Sequence, residues 1–93
     1  YISEKAFETN IGLKRLYINH NNLKNLTIQN LDNLELLELA FNQIFQNISI
    51  KNLSNLNKLT LTNNEIKKIE RNYFKNLSTL KILYLSSNPI DTI

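Results

Sequence analysis

Leu34-Glu-Leu-Leu37-Glu-Leu39-Ala-Phe-Asn42-Gln-Ile44 decides the fold, because the same arrangement recurs three more times in a chain of 93 residues. The other copies are Leu13-Lys-Arg-Leu16-Tyr-Ile18-Asn-His-Asn21-Asn-Leu23, Leu56-Asn-Lys-Leu59-Thr-Leu61-Thr-Asn-Asn64-Glu-Ile66 and Leu80-Lys-Ile-Leu83-Tyr-Leu85-Ser-Ser-Asn88-Pro-Ile90. All four fit L-x-x-L-x-L-x-x-N-x-L with isoleucine admitted for leucine, and their first leucines are 21, 22 and 24 residues apart. A period of this length marks a solenoid, in which one unit cannot bury its own apolar side and gains stability by stacking on its neighbours. The alternation at Leu16 and Ile18, or Leu37 and Leu39, is the period of two of a strand with one face inward and one outward. Each repeat therefore supplies one strand. Successive strands run parallel, because the chain returns to the same place after each coil.

The other half of each repeat agrees. Leu31-x-x-Leu34, Leu53-x-x-Leu56 and Leu77-x-x-Leu80 match, and further outward lie Leu26 and Ile28, Ile48 and Ile50, then Ile69 and Phe74. Ile2 and Phe7 align with Ile69 and Phe74 at an offset of 67, which also carries Leu13 onto Leu80. The match fails at Asn10, where Leu77 predicts leucine; either Ile11 fills that space or the turn is irregular. Phe7, Phe74, Leu31 and Leu53 are expected to pack beneath the outer side of the coil. The spacing predicts one domain over 1–93, made of a partial repeat 1–12, repeats 13–33, 34–55 and 56–79, and a partial repeat 80–93. Asparagine occurs seventeen times against one glycine and one proline, so Gly and Pro cannot make the corners. Asn21, Asn42, Asn64 and Asn88 stand where the chain turns inward. Their amides can pair with backbone of their own coil and the next, as a structural ladder.

On these motifs the chain resembles the leucine-rich repeat family over nearly its whole length. The resemblance implies an α/β solenoid: a curved coil with a parallel sheet on the concave face, one short strand per 21–24-residue repeat, and a mostly irregular or short helical convex side. The Asn- and Ile-rich style, the N-x-[ST] sequons and the run Asn72-Tyr-Phe74-Lys-Asn-Leu77-Ser-Thr-Leu80 resemble extracellular repeats of invertebrate, including insect, innate immune proteins and Toll-like receptors. Bacterial surface proteins with 22-residue repeats are a competing origin. The chain begins and stops midway through repeats and lacks the cysteine-rich caps usual in extracellular members, which implies an interior slice of a longer ectodomain.

The outward positions of the strands form four columns: Arg15, Leu36, Lys58, Ile82; Tyr17, Glu38, Thr60, Tyr84; Asn19, Ala40, Thr62, Ser86; and His20, Phe41, Asn63, Ser87. A bare solvated face favours residues such as Lys58, Thr60, Thr62 and Asn63. Tyr17, His20, Leu36, Phe41, Ile82 and Tyr84 instead place aromatic and aliphatic surface where water would be, which points to contact with a partner. Tyr17, Phe41 and Tyr84 are the expected anchors, with Arg15, Glu38 and Lys58 setting charge complementarity. The bland alternative is packing against another part of the same protein.

Other function classes find little footing. The net charge is +3, but only Lys14-Arg15 and Lys67-Lys68 are adjacent cations, which is weak support for nucleic acid. With no cysteine and a single histidine, no metal or cofactor is expected, and the lone Gly12 cannot form a phosphate-cradling loop. His20 has no convincing nucleophile or carboxylate in reach by sequence, so no enzyme is expected. No apolar run is long enough to span a membrane. Four N-x-[ST] sequons, at Asn25, Asn47, Asn52 and Asn76, all fall off the concave strands and support an extracellular location, secreted or on a receptor; roughly two would arise by chance. Another protein is the favoured partner. A microbial or polyanionic ligand held by Arg15, Lys58, Lys67 and Lys68, a spacer with no ligand of its own, and a dimer of the parent protein are the alternatives.

Overall fold

The computed structural model describes residues 6–45, 47–69, 74 and 77–91. Among the described residues there are six strands: β1 (Arg15–Tyr17), β2 (Asn25–Gln29), β3 (Leu36–Glu38), β4 (Asn47–Lys51), β5 (Lys58–Thr60) and β6 (Ile82–Tyr84). Four form one sheet in the order β1-β3-β5-β6, and every pairing is parallel. Arg15, Leu36, Lys58 and Ile82 are register partners, as are Leu16, Leu37, Leu59 and Leu83, so the 21-, 22- and 24-residue spacings all resolve into one in-register sheet. The leucine-rich solenoid with a parallel sheet on the concave side is thus the fold of this chain.

The opposite side is irregular except where two of its segments pair. Among the described residues there is no helix, and β2 and β4 pair in parallel as a second, two-stranded sheet, from Asn25 opposite Asn47 to Gln29 opposite Lys51. The physical reason lies in Asn-Leu26-Thr-Ile28-Gln and Asn-Ile48-Ser-Ile50-Lys. Their apolar residues alternate with polar ones at a period of two, and β-branched side chains favour extended backbone. In β2 the inward residues Leu26 and Ile28 are buried, while Asn25 and Gln29 are exposed.

Between the two sheets lies a core of stacked leucines. Leu34, Leu37, Leu39, Ile44, Leu53, Leu56, Leu59, Leu61 and Ile66 are all fully buried, with Phe7, Leu13, Ile69, Phe74 and Ile90 packed against them at partial burial. The turn between the halves repeats too. Leu34 N–H donates to Leu31 O, Leu56 N–H to Leu53 O and Leu80 N–H to Leu77 O, at 3.1–3.2 Å. The first coil makes the same turn, with Leu13 N–H donating to Asn10 O at 3.0 Å. Asn10 thus occupies the place of a leucine in a regular turn and stays exposed. Ile11 does not fill the gap, being 67% exposed.

Asparagine makes the corners, in two ways. The first is conformational. His20, Phe41, Asn63 and Ser87, each just before a ladder asparagine, have φ of 56–59°, and Asn30 and Asn52, just past β2 and β4, have φ of 61° and 55°. Asparagine tolerates this left-handed region better than most residues. No positive φ falls on the single glycine. The second is hydrogen bonding. The Oδ1 of Asn42 accepts from Asn21 N–H (2.9 Å) and Leu23 N–H (3.0 Å), and its Nδ2 donates to Ile18 O (2.9 Å) and Leu39 O (3.0 Å). Asn64 repeats this one coil on, accepting from Ile44 N–H and donating to Leu39 O and Leu61 O; Asn88 accepts from Ile66 N–H and donates to Leu61 O and Leu85 O. Each amide joins its own coil to the one before it. Asn42 and Asn64 are buried, so these groups have no water to fall back on.

Replacing Asn64 with aspartate keeps the acceptor but sets a carboxylate against two carbonyl oxygens. Asn64→Asp is expected to lower unfolding free energy at pH 7 by about 3 kcal/mol. Urea denaturation measures the loss, which should shrink near pH 4, where the neutral acid can donate one bond; an unchanged midpoint would show the ladder to be dispensable.

Candidate functional site

The register of β1, β3, β5 and β6 sets the candidate residues into a grid. Arg15, Leu36, Lys58 and Ile82 form one row across the strands, and Tyr17, Glu38, Thr60 and Tyr84 the next, with neighbours about 4.8 Å apart. The pattern continues past the strand ends. His20 N–H donates to Ala40 O, Phe41 N–H to Thr62 O and Asn63 N–H to Ser86 O, each at 3.0 Å. His20, Phe41, Asn63 and Ser87 thus form a further row at the rim. All nine candidate residues, Arg15, Tyr17, His20, Leu36, Glu38, Phe41, Lys58, Ile82 and Tyr84, lie on this one surface.

Their exposure is uneven. Leu36 and Glu38 on β3, and Lys58 and Thr60 on β5, are half-buried, whereas Tyr17, Ile82 and Tyr84 are 57%, 44% and 49% exposed. Strands β1 and β6 have a sheet neighbour on one side only, which accounts for part of that difference. Tyr17 and Tyr84 stand on the two outer strands, three strand spacings or about 14 Å apart, with β3 and β5 between them. Strand β5 is therefore not an open, solvated strand. The Lys58 ammonium lies 5.4 Å from the centre of the Tyr84 ring, and the hydroxyl of Thr60 is buried with no hydrogen-bond partner among the described residues. Glu38 is held in place by Asn19, whose Nδ2 donates to its Oε1 at 3.1 Å while the Asn19 Oδ1 accepts from Ala40 N–H at 2.8 Å.

Phe41 is the exception to the edge effect. It belongs to an interior coil yet is 48% exposed, and its φ is 58°. A left-handed backbone costs an ordinary L-residue roughly 1–2 kcal/mol, and a bulky ring there is unusual. Equivalent positions hold histidine, asparagine and serine. The Phe41 ring stacks on His20 with centroids 4.5 Å apart and planes 10° from parallel. No cluster of three metal-binding side chains occurs among the described residues.

The four cations considered for a polyanion do not converge. Arg15 and Lys58 share a row on the concave sheet, while Lys67 and Lys68 follow the Asn64 turn on the path away from it. Of the sequons, Asn25 and Asn47 face one another at the start of the second sheet, and Asn52 lies just past its end, donating from Nδ2 to Asn30 Oδ1 at 2.7 Å. Asn76 lies outside the described residues. Sequence reasoning missed the Asn19–Glu38 bond, the left-handed rim and a second set of coil-to-coil bonds, in which Asn33 Nδ2 donates to Ile11 O, Asn55 Nδ2 to Asp32 O and Thr79 Oγ1 to Leu56 O. The recurrence of Asn33 and Asn55 at the repeat spacing was the available signal.

A coiled stack of parallel strands, an asparagine at every turn and a side-chain grid on the sheet define a leucine-rich repeat domain, and the chain belongs to that family. Leucine rich repeat profiles match residues 12–34 and 48–93. Lumican from Mus musculus is 34% identical over 89 residues, and lumican from Bos taurus is 36% identical over the same length, each alignment covering 91% of this chain. The chain spans about a quarter of the length of these relatives, 26% in both cases.

Because the left-handed backbone favours asparagine and the ring is half exposed, Phe41→Asn should leave stability unchanged or raise it by up to about 1 kcal/mol, after loss of the His20 stack. Thermal unfolding tests this. A drop of several degrees would make Phe41 a structural residue.

Proposed function

We propose that this chain is a protein-recognition segment of a secreted or receptor-ectodomain leucine-rich repeat protein, and that it binds its partner on the concave sheet. Leucine-rich repeat domains generally bind other proteins. Phe41 carries the reading for this surface. A half-exposed aromatic ring at a left-handed position on an interior coil adds little to folding, so its use lies in contact with something else. Tyr17 and Tyr84, on the outer strands, supply further aromatic area, and Leu36 and Ile82 supply aliphatic area. Aromatic anchors of this kind dominate binding energies at protein interfaces.

The extracellular location rests on the sequons. Asn25, Asn47 and Asn52 lie on or beside the second sheet, so glycans there would leave the concave sheet open. An innate-immune role rests on the Asn- and Ile-rich style, the sequons and the 72–80 run; the lumican relatives do not bear on it. Binding of a microbial or polyanionic ligand by basic residues is less favoured, since Lys67 and Lys68 lie away from Arg15 and Lys58.

Affinity capture from native extracellular fluid with the full-length parent protein tests the proposal, using wild type beside a Tyr17→Ala, Phe41→Ala, Tyr84→Ala variant whose folding is verified by circular dichroism. Loss of a partner at least tenfold in abundance is the expected result. Equal capture by both proteins would make these coils a spacer.

A further inference from the structure

The concave sheet and the rim where its strands begin hold an unbalanced set of charges. Arg15, Lys58 and Glu38 lie on the sheet face. Directly before Arg15, Leu36, Lys58 and Ile82 in the chain, Lys14, Glu35, Asn57 and Lys81 form a neighbouring row, in which Glu35 N–H donates to Lys14 O, Asn57 N–H to Glu35 O and Lys81 N–H to Asn57 O at 2.8–2.9 Å. Four cations therefore face two carboxylates in this strip, and it holds +2 of the chain's net charge of +3. The one carboxylate on the sheet face itself, Glu38, is already engaged by Asn19. Among the described residues neither Arg15 nor Lys58 forms an ion pair; Lys58 leans on the face of Tyr84, and Arg15 is exposed.

The order within the first row adds shape to this charge. Arg15, Leu36, Lys58 and Ile82 alternate cation and aliphatic from strand to strand, at intervals of about 4.8 Å. Resting on the concave-face reading above, we infer that the partner presents an acidic segment studded with apolar side chains, its carboxylates meeting Arg15 and Lys58 on either side of Leu36 and an aromatic or aliphatic side chain meeting Phe41. The two cations are separated by two strand spacings, about 10 Å, which is close to the span of three residues of extended chain. An occupant lying across the strands in the polyproline II conformation, which turns once in three residues at about 3.1 Å per residue, would therefore place acids at positions i and i+3 on one face. A uniform polyanion fits less well, since every second place in the row is aliphatic and desolvating phosphate or sulfate against Leu36 and Ile82 is costly.

The test uses the full-length parent protein and a random twelve-residue peptide library displayed on phage, with heparin as a separate polyanion probe. Selected peptides are expected to be enriched in aspartate and glutamate together with aromatic or aliphatic residues. Their affinity should fall at least tenfold in an Arg15→Glu, Lys58→Glu variant, and peptides with the acids changed to lysine should recover binding to that variant. Selection of neutral or basic peptides, or indifference to the charge reversal, overturns the acidic partner; if those peptides still require Tyr17, Phe41 and Tyr84, the concave-face reading survives. Peptides insensitive to every concave substitution overturn both. Heparin binding that depends on Arg15 and Lys58, with no acidic peptide selected, assigns the row to a polyanion and also overturns the inference.

Discussion

The amide of a buried asparagine, bonded at once to its own coil and the preceding one, is the constraint on which the rest of the molecule depends. A solenoid has no single core that closes on itself, and each coil must fix its height and rotation against the next. Apolar contact alone cannot do so, because leucine packing is non-directional. The Oδ1 and Nδ2 of Asn42, Asn64 and Asn88 are directional, and each satisfies backbone groups on two coils. Once those bonds set the stacking, the short strands β1, β3, β5 and β6 fall into register and the outward side chains acquire fixed neighbours.

That chain of dependence explains what could be read from the residues. The ladder, the parallel sheet and the rows of the concave face follow from a repeat whose motif always runs nine residues from first leucine to asparagine. The pairing of Arg15 with Leu36 and of Thr60 with Tyr84 required nothing beyond superposing the copies. The second sheet was equally present, in the alternation of Leu26 with Ile28 and of Ile48 with Ile50, but family likeness drew the reading toward an irregular or helical path.

Other features were not legible because they belong to the backbone or to surroundings that a motif does not encode. The positive φ at Phe41 is shared with His20, Asn63 and Ser87 at the same point of each coil, and phenylalanine itself gives no sign of it. Half-burial of Lys58, Thr60 and Leu36 depends on what stands on the flanking strands. The mismatch at Asn10 pointed either to Ile11 as a replacement core residue or to an irregular turn, but the turn is regular and holds Ile11 outward.

The unequal repeats carry a consequence of their own. Lengths of 21, 22 and 24 residues differ only between each asparagine and the next leading leucine, and the sheet absorbs none of the difference. The molecule thus works as a ruler with a constant pitch and a free margin. Insertions on the far side can thicken or bend a coil without moving a graduation on the near side. A surface of this kind can change what it recognises one mark at a time, by exchanging a side chain in one row, while the distances to all the other marks stay the same.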